Sequence, residues 1–305
     1  MILCLISYIL NISTYIMDFP FLSDYRTYRD ILLISDGEQE RSCKMKVRCL
    51  LIGVVVMFVA GMLTAPGYAM DAKNIVGMWL FDEVNGDIAK DSSGNGNDGK
   101  LMGGPKWVAG MFGSALEFDG TDDYVIVNYN SSLKLGNNGA ISVWFKPSAL
   151  EPGTHNIITY GGGDYSKGFL LNQSGPSKFN GYWKTPGPAV TVDPAFSVGD
   201  WFHLVLTNDE GNLKVYLNGE EKGTGSSGGS ITDDKPIYIG GATEQWRSWM
   251  FSVSGIIDDI VIFNVNLEEE DIQTLMEKGL KETFNPSVVD LSGKLTTTWA
   301  AIKAR

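Results

Sequence analysis

From Asp71 onward, apolar and polar residues alternate with a period of two over short runs, the pattern of strands with one face in a core. The runs Ile141-Ser-Val143-Trp-Phe145 and Leu213-Lys-Val215-Tyr-Leu217 show it most clearly. The same pattern predicts strands at 75–81, 114–118, 124–128, 156–160, 168–172, 179–183, 201–207, 236–239 and 255–263. Gly and Asn-Gly pairs separate these runs, and Asn218-Gly219 predicts a tight hairpin because both residues tolerate positive φ. Many short antiparallel strands without a repeat of 20 to 50 residues imply an all-β sandwich or jelly roll rather than a propeller or solenoid. The period changes once. Ile272, Leu275, Met276 and Leu280 fall on one stripe and predict a surface helix over 268–280, with Asn266 as its cap and Glu268 to Asp271 at the positive end of its dipole.

The 305 residues suffice for one large sandwich, and the net charge of −12 argues against nucleic acid as a partner, since phosphate binding relies on clustered Lys and Arg. All three cysteines, Cys4, Cys43 and Cys49, lie in the first fifty residues. There, Met45-Lys-Val-Arg48, the uncharged run from Cys49 to Met70 and the small residues of Gly67-Tyr-Ala69 form the basic, apolar and cleavage regions of a secretory signal peptide. The run is also long enough for a transmembrane helix. Gly61, Pro66 and Gly67 weaken its far half, and the cleavage pattern favours the signal peptide. Translation from Met45 leaves residues 1–44 as an upstream extension without a role. The organisation expected is a signal peptide over 45–69, one domain over 70–281 and a tail over 282–305 that begins near the helix-breaking Asn285-Pro286. The matured chain would be extracytoplasmic, free of cysteine and without stable membrane insertion.

Several motifs follow one another in a specific order. Trp79-Leu-Phe-Asp82-Glu83 precedes the loop Asp91-Ser-Ser-Gly94-Asn-Gly96-Asn-Asp98-Gly99, and Leu116-Glu-Phe118-Asp119-Gly120-Thr-Asp122-Asp123-Tyr124-Val125 reads as a hairpin. Near the end, Gly255-Ile-Ile-Asp258-Asp259-Ile-Val-Ile-Phe263 runs into the acidic-capped helix. Together they resemble a laminin-G-like domain of the concanavalin A-like lectin/glucanase superfamily, of the secreted bacterial kind, over roughly 74–281. The resemblance implies an antiparallel two-sheet jelly roll that binds glycans or protein surfaces. It also implies a structural calcium tying the first strand to the last through Asp82 and Asp258, against the alternative that these acids only cap turns at the rim.

A glycoside hydrolase on this fold would need two carboxylates flanking the scissile bond. Asp258 and Asp259 are adjacent, so on a regular strand they point to opposite faces. Glu268 to Asp271 belong to the helix start, and no Glu-x-Asp-x-x-Glu or Glu-x-Asp-x-Glu run is present. With no cysteine and only His155 and His203 after residue 69, zinc is disfavoured. His203 alternates with Phe202, Leu204 and Leu206, which places it away from the core as a hydrogen-bonded structural histidine.

Sugars need aromatic rings for their C–H faces and amides or carboxylates for their hydroxyls. The segments Asn180-Gly-Tyr182-Trp183-Lys184 and Thr243-Glu244-Gln245-Trp246-Arg247-Ser-Trp249 offer both. Trp246 and Trp183 are the expected stacking rings, with Arg247, Gln245 and Asn180 as hydrogen-bonding partners, while Trp249 and Phe251 are expected in the core. The function expected is a secreted, non-catalytic, carbohydrate-binding module of the cell surface or extracellular matrix. The alternatives are a protein–protein adhesion module and a glycoside hydrolase or its remnant. N-terminal sequencing of exported protein should find cleavage between Ala69 and Met70, and retention of residues 49–70 in a membrane fraction would identify that run as an anchor instead.

Overall fold

The computed structural model describes residues 70–161, 168–184, 189–193, 195–231, 234–241 and 251–284. In chain order the strands are β1 (Ile75–Trp79), β2 (Ile88–Ala89), β3 (Gly99–Met102), β4 (Lys106–Ala109), β5 (Ser114–Asp119), β6 (Tyr124–Val127), β7 (Gly139–Pro147), β8 (Thr154–Tyr160), β9 (Phe169–Ser174), β10 (Lys178–Trp183), β11 (Val190–Val192), β12 (Phe202–Asp209), β13 (Asn212–Leu217), β14 (Glu220–Ser226), β15 (Ile237–Ile239), β16 (Phe251–Ser252) and β17 (Ser254–Phe263). One helix, α1 (Glu269–Phe284), follows. No helix among the described residues is long and apolar enough to cross a membrane, and the apolar run at 49–70 lies almost wholly outside them.

The strands form two sheets. The first runs β14-β13-β12-β7-β17-β5-β4, with β1 also on β17. The second runs β11-β10-β9-β8-β15-β6-β3-β2, with β16 in parallel on β8. Every other pairing between named strands is antiparallel, as expected of hairpins and Greek keys. Alternating side chains from both inner faces fill one core, including Leu116, Phe118, Phe145, Leu171, Phe179, Leu206 and Val215. The sheets approach closely at Gly181, where a Cβ would lie 2.8 Å from Val215 and 2.9 Å from Leu206. That contact turns Phe179, Gly181 and Trp183 inward and leaves Asn180 and Tyr182 on the outer face of the second sheet.

The outer face of the first sheet is partly covered by α1. Ile272, Leu275 and Leu280 pack there against Val205, Tyr216, Val261 and Phe263. Asn266 is not the cap, because its Oδ1 accepts no hydrogen bond. The Asp271 carboxylate instead accepts from the Glu268 N–H at 3.4 Å, the reciprocal half of a capping box. The helix runs past the expected end at 280, and Gly279 within it has φ 69° and ψ 172°. His203 lies as expected on the outer side of its strand, with Nε2 2.7 Å from Ser142 Oγ and its ring 5.0 Å from that of Trp144. Burial pushes its pKa down to about 3, so it is a neutral, enclosed imidazole.

The alternation did not reveal β14, whose residues are mostly exposed, as befits an edge strand, nor the short β3, β4 and β11, nor the two-residue β2 and β16. Gly279 is the position where the helix is most sensitive. Its backbone region is open essentially to glycine alone, and an added Cβ would stand 2.7 Å from the Phe112 ring. Gly279→Ala should therefore destabilise the fold by about 1–3 kcal/mol in denaturant unfolding, and an unchanged midpoint would show that the kink relaxes freely.

Candidate functional site

Asp258 and Asp259 are both buried, and the structure does not send them to opposite faces. The register of β17 on β7 shifts between Asp258 and Val261, and Asp259 adopts φ 43°. This bulge directs both carboxylates to one corner. Asp258 Oδ2 accepts from the N–H groups of Met111 and Phe112 at 2.8 and 2.9 Å, and its Oδ1 accepts from the Asp259 N–H at 2.8 Å. Asp259 Oδ2 accepts from the Leu280 N–H at 2.8 Å. Nearby, Asp82 accepts from the Ser114 N–H at 3.1 Å and pairs with the Lys281 ammonium at 2.8 Å.

Burial pushes the Asp258 carboxyl up to about 8 and that of Asp259 up to about 7, although their backbone donors pull the other way. Asp82 and Asp258 thus flank one turn, where Asp258 receives three backbone N–H donors and Asp82 the Lys281 ammonium. Sealed from solvent, Asp258 and Asp259 offer no surface to a glycosidic bond. Among the described residues, Asp119, Asp122 and Asp123 bring carboxylate oxygens within 4.8 Å of one another. Two of these acids are engaged in their own turn, Asp123 accepting from the Asp119 N–H and Asp119 from the Thr121 N–H.

The outer face of the second sheet has a different character. Asn156 pairs in register with Asn172, Asn172 with Asn180, and Asn180 with Thr191, so four neighbouring strands place a polar row across one face. Thr191 Oγ1 donates to Asn180 Oδ1 at 2.7 Å, and Asn180 Nδ2 donates to Asn172 Oδ1 at 3.0 Å. Ser252 of β16 is in register with Asn156 on the other side, and Asn156 itself is 1% exposed with no hydrogen-bonding partner for Oδ1 or Nδ2. The next row on the same face, Tyr182, Leu170, Thr159 and Tyr238, adds two aromatic side chains, and Tyr124 packs 6.0 Å from Tyr238. At the adjoining end of the sandwich a cleft of about 10 Å³, room for one water, is lined by Gly120, Glu151, His155, Gln173, Ser252 and Ser254. His155 Nδ1 there lies 3.1 Å from the Ser252 carbonyl.

A sequence profile described as the concanavalin A-like lectin/glucanases superfamily matches residues 119–273, just over half of the chain. The chain belongs to this superfamily. Several solved structures have a similar fold. Domain 4 of AbnA, an extracellular GH43 arabinanase from Geobacillus stearothermophilus in complex with arabinotriose, is 21% identical with a TM-score of 0.53, covering 67% of this chain and 98% of that one. The binding domain of Paraclostridial Mosquitocidal Protein 1 is 18% identical with a TM-score of 0.53, over 67% of this chain and 52% of the other. Trypanosoma rangeli sialidase in complex with sialic acid is 17% identical with a TM-score of 0.54, over 70% of this chain and 34% of the sialidase. At these identities the likeness concerns the fold. No curated protein matches the chain in sequence.

On this concanavalin A-like frame the expected site residues separate. Trp183 is fully enclosed in the core, with its ring 6.1 Å from that of Phe169, because the alternation set by Gly181 turns it inward. It is not available as a stacking ring. Asn180 lies on the outer face as a member of the amide row. Gln245, Trp246, Arg247 and Trp249 lie outside the described residues. Asn156 and Asn172 were missed, although each occupies an outward position of a recognised strand; only the register between strands reveals the row.

The acid corner makes a sign-definite pH prediction. An unfolded aspartate titrates near 3.8 and folded Asp258 near 8, so between these values the folded chain keeps a proton that the unfolded chain releases. Stability must then fall as pH rises through this window. Thermal melts should be lower at pH 8 than at pH 5, with a smaller drop in Asp258→Asn. An equal drop in the variant would remove Asp258 as the cause. A melting shift on adding chelator that disappears in the variant would assign a calcium ion to this corner.

Proposed function

We propose that this concanavalin A-like domain is a non-catalytic carbohydrate-binding module of an exported protein, and that the outer face of the second sheet carries its ligand. The observation behind this reading is the accessible end of the row, Asn180 and exposed Thr191, beside the half-buried ring of Tyr182. A sugar ring has two apolar C–H faces and a belt of hydroxyls, so a surface that binds it combines aromatic area with fixed neutral donors and acceptors. Both lie here on rigid strands whose rotamers are held by cross-strand pairing. The arabinotriose complex of AbnA domain 4, matched over nearly its whole length, supports a carbohydrate ligand for a fold of this shape. A non-catalytic role is supported by the enclosure of Asp258 and Asp259, the pair of adjacent acids in the superfamily-like closing strand.

A glycan array probed with the purified protein is the first test, followed by titration of the strongest hit. Tyr182→Ala should weaken that hit by about tenfold, equivalent to about 1.4 kcal/mol, with little change in melting temperature because Tyr182 is only half-buried. An array without hits, or a hit indifferent to Tyr182, Asn180 and Thr191 alike, would refute the assignment of this face.

A further inference from the structure

Inside one end of the sandwich, away from the acid corner, buried polar atoms gather that protein groups do not satisfy. Among the described residues, Trp183 Nε1, Asn208 Nδ2 and Ser227 Oγ are enclosed and have no hydrogen-bonding partner. Buried donors in folded proteins are paired as a rule, with protein groups or with ordered solvent. The three come from separate strands: Trp183 ends β10 in the second sheet, Asn208 is the penultimate residue of β12 in the first, and Ser227 directly follows β14. Trp183 and Asn208 are both fully enclosed.

Their neighbours bring them to one place. Trp183 alternates with inward Gly181 and Asn208 with inward Leu206, so both side chains enter the space between the sheets. Asn208 stands opposite Gly139 in register, and an added Cβ on Gly139 would run into the Trp183 ring, so the indole lies over the strand pair that carries Asn208. The Ser227 N–H donates to the Gly211 carbonyl at 2.8 Å, and the next N–H, that of Gly228, donates to the Trp183 carbonyl at 3.3 Å. Gly211 also donates its own N–H to Asn208 Oδ1 at 3.1 Å. That bond occupies the acceptor of the Asn208 amide and leaves its donor, Nδ2, over.

We propose that this end of the sandwich encloses a site for one small hydrogen-bond acceptor, a water oxygen or a halide ion, held between the two sheets by Trp183 Nε1, Asn208 Nδ2 and Ser227 Oγ. The donor set decides the class. An indole N–H and an amide Nδ2 only donate, while a hydroxyl turns to suit its partner. A metal cation would face hydrogens on two of its three neighbours. A buried water typically makes about three hydrogen bonds to groups of this kind, and it enters through local opening rather than through a standing channel. The occupant joins β10, β12 and the end of β14, so it ties the two sheets together where strand pairing does not.

A crystal structure of the protein grown with bromide in place of chloride tests the site. A solvent peak about 2.7–3.2 Å from the three atoms supports a water, and an anomalous peak at the same place supports a halide. No peak there overturns the proposal. In solution, the Trp183 indole proton, assigned by its loss in Trp183→Phe, should show magnetisation transfer from a long-held water, or a saturable shift when chloride replaces acetate at constant ionic strength. Ser227→Ala removes one of the three holders at the margin of the core and should weaken that transfer or the halide affinity at least threefold. An indole proton that responds to neither, or a response unchanged in Ser227→Ala, overturns the proposal. If Trp183→Phe does not fold, the same signal is assigned through the carbon-bound protons of its own ring.

Discussion

The architecture depends on how one strand changes partner. Along one edge, β17 pairs with β5 as far as Ile257 and with β1 from Ile260 onward, while its other edge follows β7. Between the two partners lie Asp258 and Asp259, where neither β5 nor β1 continues the ladder along that edge, although Asp258 still pairs with Trp144 of β7. Their carboxylates take up the N–H groups that this seam leaves over, those of Met111 and Phe112 in the β4–β5 turn and of Leu280 in the helix. Without that substitution, buried backbone donors would be stranded at the centre of the sheet. The acids thus act as pieces of backbone. Their raised affinity for protons is the electrostatic cost of the arrangement, and it explains why Asp82 and Lys281 close the same corner from outside.

The two outer faces diverge for reasons that begin in the same corner. Holding Leu280 fixes α1 over the first sheet, and Phe112 lies against Gly279 on one side and 6.0 Å from the Trp144 ring on the other. That sheet therefore spends much of its outer surface on internal packing. The second sheet has no such helix among the described residues, and its central outward positions carry amides, threonines and tyrosines beside one leucine, Leu170.

Much of the frame was legible from local pattern. Val143 and Phe145, or Val215 and Leu217, announce strands because each alternates with a polar or amphipathic neighbour, and Ile272 to Leu280 announce the helix by their stripe. What was not legible depends on pairing. The adjacency of Asp258 and Asp259 suggested opposite faces, and only the bulge beside a change of partner brings them together. Trp183 has the composition of a sugar-stacking ring, yet the close approach at Gly181 commits it to the core. Asn180 was legible as an outward amide because it stands between Phe179 and Gly181; that Asn172 and Asn156 continue it is a property of register, which no single strand contains.

The order of assembly follows from where β17 falls in the chain. Among the described residues it is the last strand, and it sits in the interior of the first sheet, between β7 and β5. Until it is in place, β5 and β7 are open edges, and β1, near the beginning, has no partner in that sheet. Closure therefore waits for contacts between residues far apart in sequence, a topology associated with slow folding. The nascent chain remains unfinished until almost the whole domain has been synthesised. Any truncation before residue 254 leaves a sheet with two unpaired edges prone to joining those of another copy.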